Sequence, residues 1–472
     1  MERVTVTIGS RHDLTLAAFR RVAWEGESVA FEAAVATRMA DARKAFLSLL
    51  DDGSVTVYGV TSGFGDRAGT TLTPGERAEQ ATIASDRGVS FGEDLPERVA
   101  RGIVFARLAN LVDGHAAVRP EVARAVAGVL DEAEPPSIPA QGNGGSGEIL
   151  ALGHLFNELG MRVGLEAKEG LALVNGSPCA AALLADAALA ACGRIGLAYE
   201  AFALSVEAFA APLEAYDNEL AGLWGDDGEA TALGRLGSCL EGASGLRAGH
   251  QAPVSFRILP RILGQAERAL ADAQRGASTS LSSVTDNPVF LMPSPAHPRG
   301  RVFSTGGYHN GAAPQMLHAL TVVYADVCRL AERHVEALWV GLGKQQSQAI
   351  EEYLSLLLMV TTGWSEEAAA AAQPALLPRS GAGQNDVGAP SFLAWRRNEV
   401  AGRALDSCLA LLLATATQLL LAEGRLPASP LRSRFEHVGE LCPVASHPYG
   451  AGIAQLAAML SDEIYAANPR AL

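Results

Sequence analysis

A glycine-rich stretch with a single serine, Gln141–His154 (QGNGGSGEILALGH), contains the first residues whose types suggest chemistry. Gly142, Gly144 and Gly147 fit the pattern G-x-G-x-x-G of phosphate-binding turns. That pattern requires a strand before the glycines and a helix after them. The residues before the stretch, EPPSIPA, contain three prolines and predict no buried strand. We therefore expect no nucleotide site here.

Two other interpretations of this stretch stay open. In the first it is a flexible loop, and Ser146 with Glu148 forms the start of the following helix. In the second, Gly145-Ser146-Gly147 modifies itself: in a tight bend the amide nitrogen of Gly147 attacks the carbonyl carbon of Gly145, an approach that small residues permit. Loss of water from the ring and from Ser146 leaves an exocyclic alkene, an electrophile that no ordinary side chain supplies.

The composition excludes several classes of function. A chain of 472 residues with 49% apolar and 19% charged residues can bury a large core. The net charge of -15 disfavours nucleic acid and anionic membranes as partners. The six cysteines form no C-x-x-C pair and the histidines no H-x-x-x-H, which predicts free thiols and no metal site. The N-terminus has no signal-peptide pattern and no segment is predicted to span a bilayer, so we expect a cytoplasmic protein.

Helical spacing of apolar residues dominates the chain. It predicts helices over Phe31–Leu50, Pro96–Leu111, Leu171–Phe209, Gln265–Arg275, Pro314–Gly341, Gln346–Thr361 and Ala394–Glu423. Strand signals are confined to VTVTI at the start, Ser54–Val60 and Pro288–Met292. We predict a mainly α-helical protein of long stacked helices, some buried between subunits. The predicted division is an N-terminal domain, 1–200, and a long-helix bundle, 201–472.

Glycine and polar residues gather in short islands between the predicted helices, where a rigid scaffold places chemistry. In chain order they are YGVTSGFG (58–65), the glycine-serine stretch, NGS (175–177), HQAPVSFR (250–257), TDNP (285–288), TGGYHNG (305–311) and SGAGQNDV (380–387).

These islands, with KEGLALVNG (168–176), VRP (118–120) and GEDLPE (92–97), resemble the histidine, phenylalanine and tyrosine ammonia-lyase and aminomutase family over essentially the whole chain. The resemblance implies a long-helix bundle with a smaller, β-poor N-terminal domain that carries the active-site loops. It implies a homotetramer whose active sites combine loops from three subunits. It also implies a methylideneimidazolone electrophile made from Gly145-Ser146-Gly147, and elimination of ammonia from an α-amino acid or its 2,3-migration.

The resemblance assigns roles to individual residues. Tyr58 matches the catalytic base and Ser146 the serine that becomes the alkene. Asn175 matches the asparagine beside the prosthetic group, Arg257 the arginine that grips the substrate carboxylate, and Asn385 a residue on the amine-binding side. A guanidinium suits a carboxylate, and a phenolate could remove a β-proton if the phenol pKa were lowered. The remaining candidates of these islands are catalytic Tyr308 and substrate-binding Asn287, His309 and Gln384.

The sequence departs from the family pattern at the site itself. GNGGSGE is one residue shorter than the usual G-S-V-G-A-S-G-D, with Gly145 in place of alanine and Glu148 in place of aspartate. Val254 stands where the family has tyrosine, and His309 where it has phenylalanine.

Arg87 aligns with the family's substrate-selecting position. A cation there suits an anionic or carbonyl-bearing substrate, and the alternative is an ion pair with Asp86 or with a carboxylate of another subunit. Because of Arg87 and His309, we predict weak or no turnover of tyrosine, phenylalanine and histidine.

Three functions therefore stay open. The first is an ammonia-lyase or aminomutase with an altered side-chain pocket. The second is an enzyme on the same fold without the prosthetic group, in which Tyr58 with Tyr308 or His309 performs acid-base chemistry for an elimination, isomerisation or conjugate-addition ring closure. The third is a non-catalytic scaffold, against which the joint retention of Tyr58, Asn175 and Arg257 speaks.

Overall fold

The computed structural model of the chain describes residues 4–51, 53, 55–81, 87–132, 136–247, 249, 251–341, 348–381, 383–443 and 449–466. The structure is 65% helical, which confirms the mainly α-helical long-helix prediction. The described residues form 17 α-helices: α1 Leu16–Ala23, α2 Ala33–Asp51, α3 Pro74–Ala81, α4 Glu97–Arg107, α5 Pro120–Gly128, α6 Ile149–Val163, α7 Glu169–Val174, α8 Pro178–Phe209, α9 Glu219–Trp224, α10 Asp227–Cys239, α11 Val254–Arg257, α12 Leu259–Leu281, α13 Ala312–Val340, α14 Gln348–Ala371, α15 Ser391–Ala422, α16 Arg432–Leu441 and α17 Tyr449–Tyr465.

Two short sheets accompany the helices. Strands β1 (Thr5–Ile8) and β2 (Ser28–Phe31) pair in parallel, and β3 (Val289–Leu291) and β4 (Arg301–Phe303) pair antiparallel. The strands predicted at VTVTI and PVFLM are thus confirmed.

The strand predicted over Ser54–Val60 is wrong in its described part, because the chain turns at residues 58–61. Gly59 has a φ of +68°, which an extended strand does not allow. The turn buries both Val57 and Val60. These residues are three positions apart, so a strand would place them on opposite faces. Apolar residues of this segment therefore pack inward without forming a sheet.

The chain divides into two compact units. The first comprises Met1–Ala187, Ala273–Met316 and Pro374–Arg396. It contains both sheets and a core cluster of Phe46, Leu49, Val57, Val60, Ala117 and Phe290. The predicted domain boundary at residue 200 stays a prediction.

The second unit comprises Ala188–Asp272, Leu317–Gln373 and Arg397–Leu472, and its described residues are helical and irregular. Long apolar helices form its core around a buried ion pair between Arg194 Nε and Asp406 Oδ1, 3.0 Å apart. The Arg194 guanidinium also lies 5.5 Å from the ring centroid of Tyr324.

Within the described residues, two segments are long and apolar enough to cross a membrane. These are Glu169–Phe209, which contains α7 and α8, and Ser391–Ala422. Their most apolar windows are 83% and 89% buried inside the protein, as in core helices of globular proteins.

Candidate active site

The chain bends at Gly145 and Ser146 and turns at Gly147 and Glu148, and this Ser146 turn has a backbone conformation at both flanking glycines that other residues rarely adopt. The φ angles of Gly145 and Gly147 are +95° and +72°. Space alone would admit a methyl group on Gly145, whose nearest neighbour would be Ser380 Oγ at 3.5 Å. The backbone conformation, rather than a lack of space, therefore favours glycine at position 145.

Ser146, between the two glycines, is half-buried. Its hydroxyl donates a hydrogen bond to Asn385 Oδ1 at 3.1 Å. The carbonyl oxygen of Gly145 accepts a hydrogen bond from Ala389 N at 3.3 Å, and that of Gly147 one from Gly176 N at 3.1 Å. Both glycine carbonyl oxygens thus accept hydrogen bonds from residues outside the turn.

Glu148 does not cap its own helix, contrary to one of the two open interpretations. It has a left-handed φ of +59° before α6, and its buried carboxylate accepts hydrogen bonds from Cys179 N at 2.6 Å and Ala180 N at 2.8 Å. These are free amides at the first turn of α8, where an anion is favoured. Burial nevertheless raises the pKa of Glu148 to about 7.

The predicted residues Asn175 and Asn287 contact each other, and Asn175 lies beside Gly147. Asn175 Nδ2 donates to the carbonyl oxygen of Asn287 at 3.1 Å, and a methyl group on Gly147 would come within 2.4 Å of Asn175 Oδ1. Asn287 Oδ1 accepts a hydrogen bond from Thr305 N at 2.8 Å. Both asparagines are buried, and the side-chain oxygen of Asn287 is engaged with its own chain.

Two ion pairs, one fully buried and one with a partly exposed arginine, fix the segments that carry these asparagines, and motif reasoning missed both. Lys168 Nζ lies 2.5 Å from Asp286 Oδ2 with both side chains fully buried. The Glu169 carboxylate accepts from the Arg119 guanidinium at 2.7 Å. The sequence marks KEGLALVNG, TDNP and VRP as motifs, but only the structure shows that their charged residues pair with one another.

Tyr58 is presented by the turn at 58–61. Val57 and Val60 on either side are buried in the core cluster, whereas Tyr58 is half-buried. Its hydroxyl oxygen accepts a hydrogen bond from Gly65 N at 3.0 Å. Burial raises the Tyr58 pKa above its usual value near 10, and the nearby Tyr308 phenol raises it further against the opposing Gly65 amide. In this environment Tyr58 is a neutral phenol at pH 7.

Asn385 connects the Tyr58 loop to Ser146. The short turn Gly383–Asn385 packs on Gly65–Arg67, and a methyl group on Gly65 would lie 3.3 Å from Asn385 Nδ2. A line of contacts therefore runs from the Tyr58 hydroxyl through Gly65 and Asn385 to the Ser146 hydroxyl. Gln384 beside it is exposed.

His309 reaches the chain segment that holds Gly145. Its Nε2 lies 3.3 Å from the carbonyl oxygen of Gly388, which precedes Ala389. A methyl group on Gly388 would come within 3.0 Å of the Gly145 carbonyl oxygen. His309 thus contacts the support of the turn.

Arg87 is half-buried, and its guanidinium lies 5.0 Å from the ring centroid of Phe64, in the same island as Tyr58. A cation over an aromatic face is attracted by the ring quadrupole. Asp86, the alternative partner, lies outside the described residues.

Arg257 belongs to the second unit. It is exposed at the end of α11, and its Nε donates to the carbonyl oxygen of Ala252 at 3.0 Å. The preceding Phe256 is fully buried and stacks on His334, with ring centroids 3.8 Å apart. His334 Nδ1 lies 2.7 Å from Ser205 Oγ, and burial lowers the His334 pKa to about 3, so the ring is neutral.

The structure thus brings Tyr58, Ser146, Asn175, Asn287, Asn385 and their neighbours together in the first unit, and places Arg257 in the second. No group of three or more His, Cys, Asp or Glu side chains suited to a metal ion occurs among the described residues.

Comparison with known proteins identifies the family. The sequence model of the aromatic amino acid lyases matches residues 14–161 and 157–438. The chain is 31% identical over 358 residues to histidine ammonia-lyase of Deinococcus radiodurans, an alignment of 69% of this chain and 67% of that protein. It is 29% identical over 357 residues to histidine ammonia-lyase of Sorangium cellulosum, covering 69% and 70%.

Solved structures show the same fold. Histidine ammonia-lyase from Trypanosoma cruzi superposes with a TM-score of 0.83 and 21% identity, covering 98% of this chain and 94% of that one. Tyrosine aminomutase from Streptomyces globisporus superposes with a TM-score of 0.84 and 21% identity, covering 98% and 97%. The chain therefore belongs to the aromatic amino acid lyase family, whose members similar to this chain include ammonia-lyases and aminomutases.

Proposed function

We propose that the enzyme performs an α,β-elimination of ammonia, or a 2,3-amine shift, on an amino acid or related carboxylate. The observation that carries this proposal is the line of contacts from the Tyr58 hydroxyl through Gly65 and Asn385 to the Ser146 hydroxyl. It joins the proton-transferring phenol to the serine that would supply the electrophile.

The residues around the turn fit a methylideneimidazolone made from Gly145-Ser146-Gly147. The positive φ angles of both glycines bend the backbone, and Asn175 Oδ1 packs so closely on Gly147 that no side chain fits there. Gly176 N and Ala389 N would hold the flanking carbonyls. When formed, the group supplies an electrophilic alkene that activates an amine as a leaving group.

Tyr58 moves the proton at the β-carbon in this proposal. Its pKa is raised, so it must first be ionised before its oxygen can accept a proton. Activity should therefore increase with pH toward and beyond the ordinary phenol value of about 10. Arg87 recognises an anionic or carbonyl-bearing side chain, and Arg257 binds the substrate carboxylate.

The raised pKa of Tyr58 also favours a second candidate function, an enzyme on this fold without the prosthetic group. A neutral phenol beside Tyr308 is suited to donate a proton in an elimination, isomerisation or conjugate-addition ring closure. In that case Ser146 stays unmodified, and Ser146→Ala retains activity.

The mass of the purified protein, with a peptide map over Gln141–His154, separates the two candidates. A deficit of two waters in that peptide supports the lyase or aminomutase, and Ser146→Ala should then abolish both the deficit and ammonia release. An unmodified peptide in the active parent enzyme would contradict the first candidate. The substrate panel should include amino acids with acidic or carbonyl-bearing side chains beside tyrosine, phenylalanine and histidine.

We further propose a cytoplasmic homotetramer with shared sites. An exposed apolar stripe on α14 supports oligomer formation: Leu356, Met359, Val360 and Trp364 follow helical spacing and are 42%, 69%, 47% and 40% exposed in the single chain. Sedimentation equilibrium tests this, and a monomer at micromolar concentration would contradict it.

A further inference from the structure

The last residue of α4, Arg107, is a buried cation placed directly behind the asparagine that contacts the turn. Its guanidinium is fully buried, and Nη1 donates to the carbonyl oxygen of Asn175 at 2.7 Å. Its Nε and Nη2 have no hydrogen-bond partner in the part of the chain that the structure describes. Burial lowers the Arg107 pKa, and the nearby carboxyl groups of Asp286 and Glu148 oppose that lowering. A buried, half-satisfied guanidinium is costly, so its position calls for a role beyond packing.

Arg107 supports the turn through two successive contacts. A methyl group on Gly176 would lie 2.7 Å from Arg107 Nη1, so the guanidinium packs directly on the Asn175-Gly176 backbone. On its other side, Gly176 N donates to the carbonyl oxygen of Gly147, and Asn175 Oδ1 packs on Gly147. The position of Gly147 is thus determined by a backbone segment that Arg107 holds.

Asn110, three residues after the end of α4, holds the other side of residues 175–177 through Thr285. Asn110 Oδ1 accepts a hydrogen bond from Thr285 N at 2.6 Å, and Thr285 Oγ1 accepts one from Ser177 N at 3.0 Å. Residues 175–177 are therefore fixed from Arg107 at one end and from Thr285 at the other.

We propose that Arg107 is a positioning residue for closure of the Gly145-Ser146-Gly147 ring. In that closure a bond forms between Gly147 N and the carbonyl carbon of Gly145. The Gly145 carbonyl oxygen leaves as water with the amide hydrogens of Ser146 and Gly147, and the Ser146 hydroxyl leaves as a second water with its Cα hydrogen. This inference rests on the proposed function, because it assumes that the ring forms.

Closure depends on holding the amide nitrogen of Gly147 against a carbonyl two residues away, an arrangement that a free chain rarely visits. Replacing Arg107 leaves the Asn175 carbonyl without its partner and frees Asn175-Gly176 to move. Losing a hydrogen bond to a charged group corresponds to a roughly tenfold or larger loss of the closed arrangement.

The test measures the fraction of the Gln141–His154 peptide that lacks two waters in soluble, folded protein. Arg107→Met should lower that fraction roughly tenfold, and Arg107→Lys, which keeps a cation and a donor, should restore part of it. Arg101→Met is a matched control on the same helix. Arg101 is also buried and donates to the carbonyl oxygens of Val22, Leu130 and Glu27, away from the turn.

The outcomes are distinguishable from failure of the proposed function. If the parent protein shows no two-water deficit in the Gln141–His154 peptide, the ring does not form and the proposed function is wrong, whatever Arg107 does. If the parent and Arg107→Met both show the full deficit, the inference about Arg107 is wrong while the function stands. If Arg107→Met does not fold, Arg107→Gln and Arg107→Lys decide, and full closure in both would overturn the proposal. Equal loss of closure in Arg101→Met would show that general destabilisation is responsible.

Discussion

Ser146 and Arg257 are both candidate site residues, but the segments that carry them are stabilised by different forces. Behind the Ser146 turn, the contacts are buried ion pairs and hydrogen bonds, such as Lys168 with Asp286 and Arg107 with Asn175. Behind Arg257, packed rings predominate: Phe256 lies 3.8 Å from His334 and 4.5 Å from Phe209, measured between centroids. One buried hydrogen bond, from the Tyr216 hydroxyl to the carbonyl oxygen of Phe256 at 2.9 Å, adds to them.

This difference indicates different demands on the two segments. Hydrogen bonds and ion pairs are directional, so they fix a backbone to one conformation and lose much when one partner is removed. Ring packing is non-directional and tolerates changes that conserve volume. A turn that must bring its own backbone atoms together needs the first kind of support, whereas an arginine with a long flexible side chain can work with the second.

Breaking a buried ion pair behind the Ser146 turn should have the largest effect on stability. Lys168→Met leaves the Asp286 carboxylate buried and unpaired, so we expect a loss of about 3–5 kcal/mol in the free energy of unfolding. Urea denaturation measures it.

Arg124→Met is the matched control, because Arg124 pairs with Glu121 on the exposed face of α5. Its urea midpoint should be unchanged within error. Equal effects of the two substitutions would show that burial of the Lys168 pair is unimportant.

Removing the central ring behind Arg257 should have an effect of similar size but a different location. Phe256→Ala should cost about 3–5 kcal/mol and increase hydrogen exchange of the amides in residues 251–258. The mass of the Gln141–His154 peptide should not change.

Phe256→Leu, which keeps most of the apolar volume, should behave nearly as the parent protein does. A change in the peptide mass caused by Phe256→Ala would contradict separate support of the two segments.

Glu148 tests the electrostatics of the buried polar contacts beside the Ser146 turn. Its folded pKa of about 7 lies above its unfolded value near 4.5, so the folded protein holds an extra proton between these values. Stability from this group is therefore present below pH 4.5 and is lost as pH rises to 7, by roughly 2–3 kcal/mol. Glu148→Gln should remove that slope.

The comparison uses unfolding free energies of parent and Glu148→Gln at several pH values from 4 to 8. All other titrating groups contribute to both proteins, so the difference isolates Glu148. A difference that is constant with pH would show that the carboxylate keeps an ordinary pKa, held ionised by the α8 amides and Arg107.

The polar region also shows what sequence could and could not predict. The islands and the long helices follow from glycine content and apolar spacing. Arg107 lies in a segment whose apolar spacing predicts only an ordinary amphipathic helix. Its partner Asn175 is 68 residues away in the sequence. Glu148 reads as a helix start, but the left-handed turn at Gly147-Glu148 directs its carboxylate to α8 instead. Partners brought together by the fold leave no local signal.

The smallest expected stability effect separates the making of the site from its use. Tyr58→Phe removes the oxygen that accepts the Gly65 amide, a half-buried contact worth about 1 kcal/mol. Because the hydrogen bond of Tyr58 among the described residues is to Gly65, the two-water deficit should persist, whereas turnover should be lost with the proton-transferring group. Ammonia release and peptide mass are measured on the same sample. Retained turnover in Tyr58→Phe would assign the proton transfer to another group. Loss of the deficit would instead mean that the contact line from Tyr58 to Ser146 helps to shape the turn, which would extend the polar support into the catalytic loop itself.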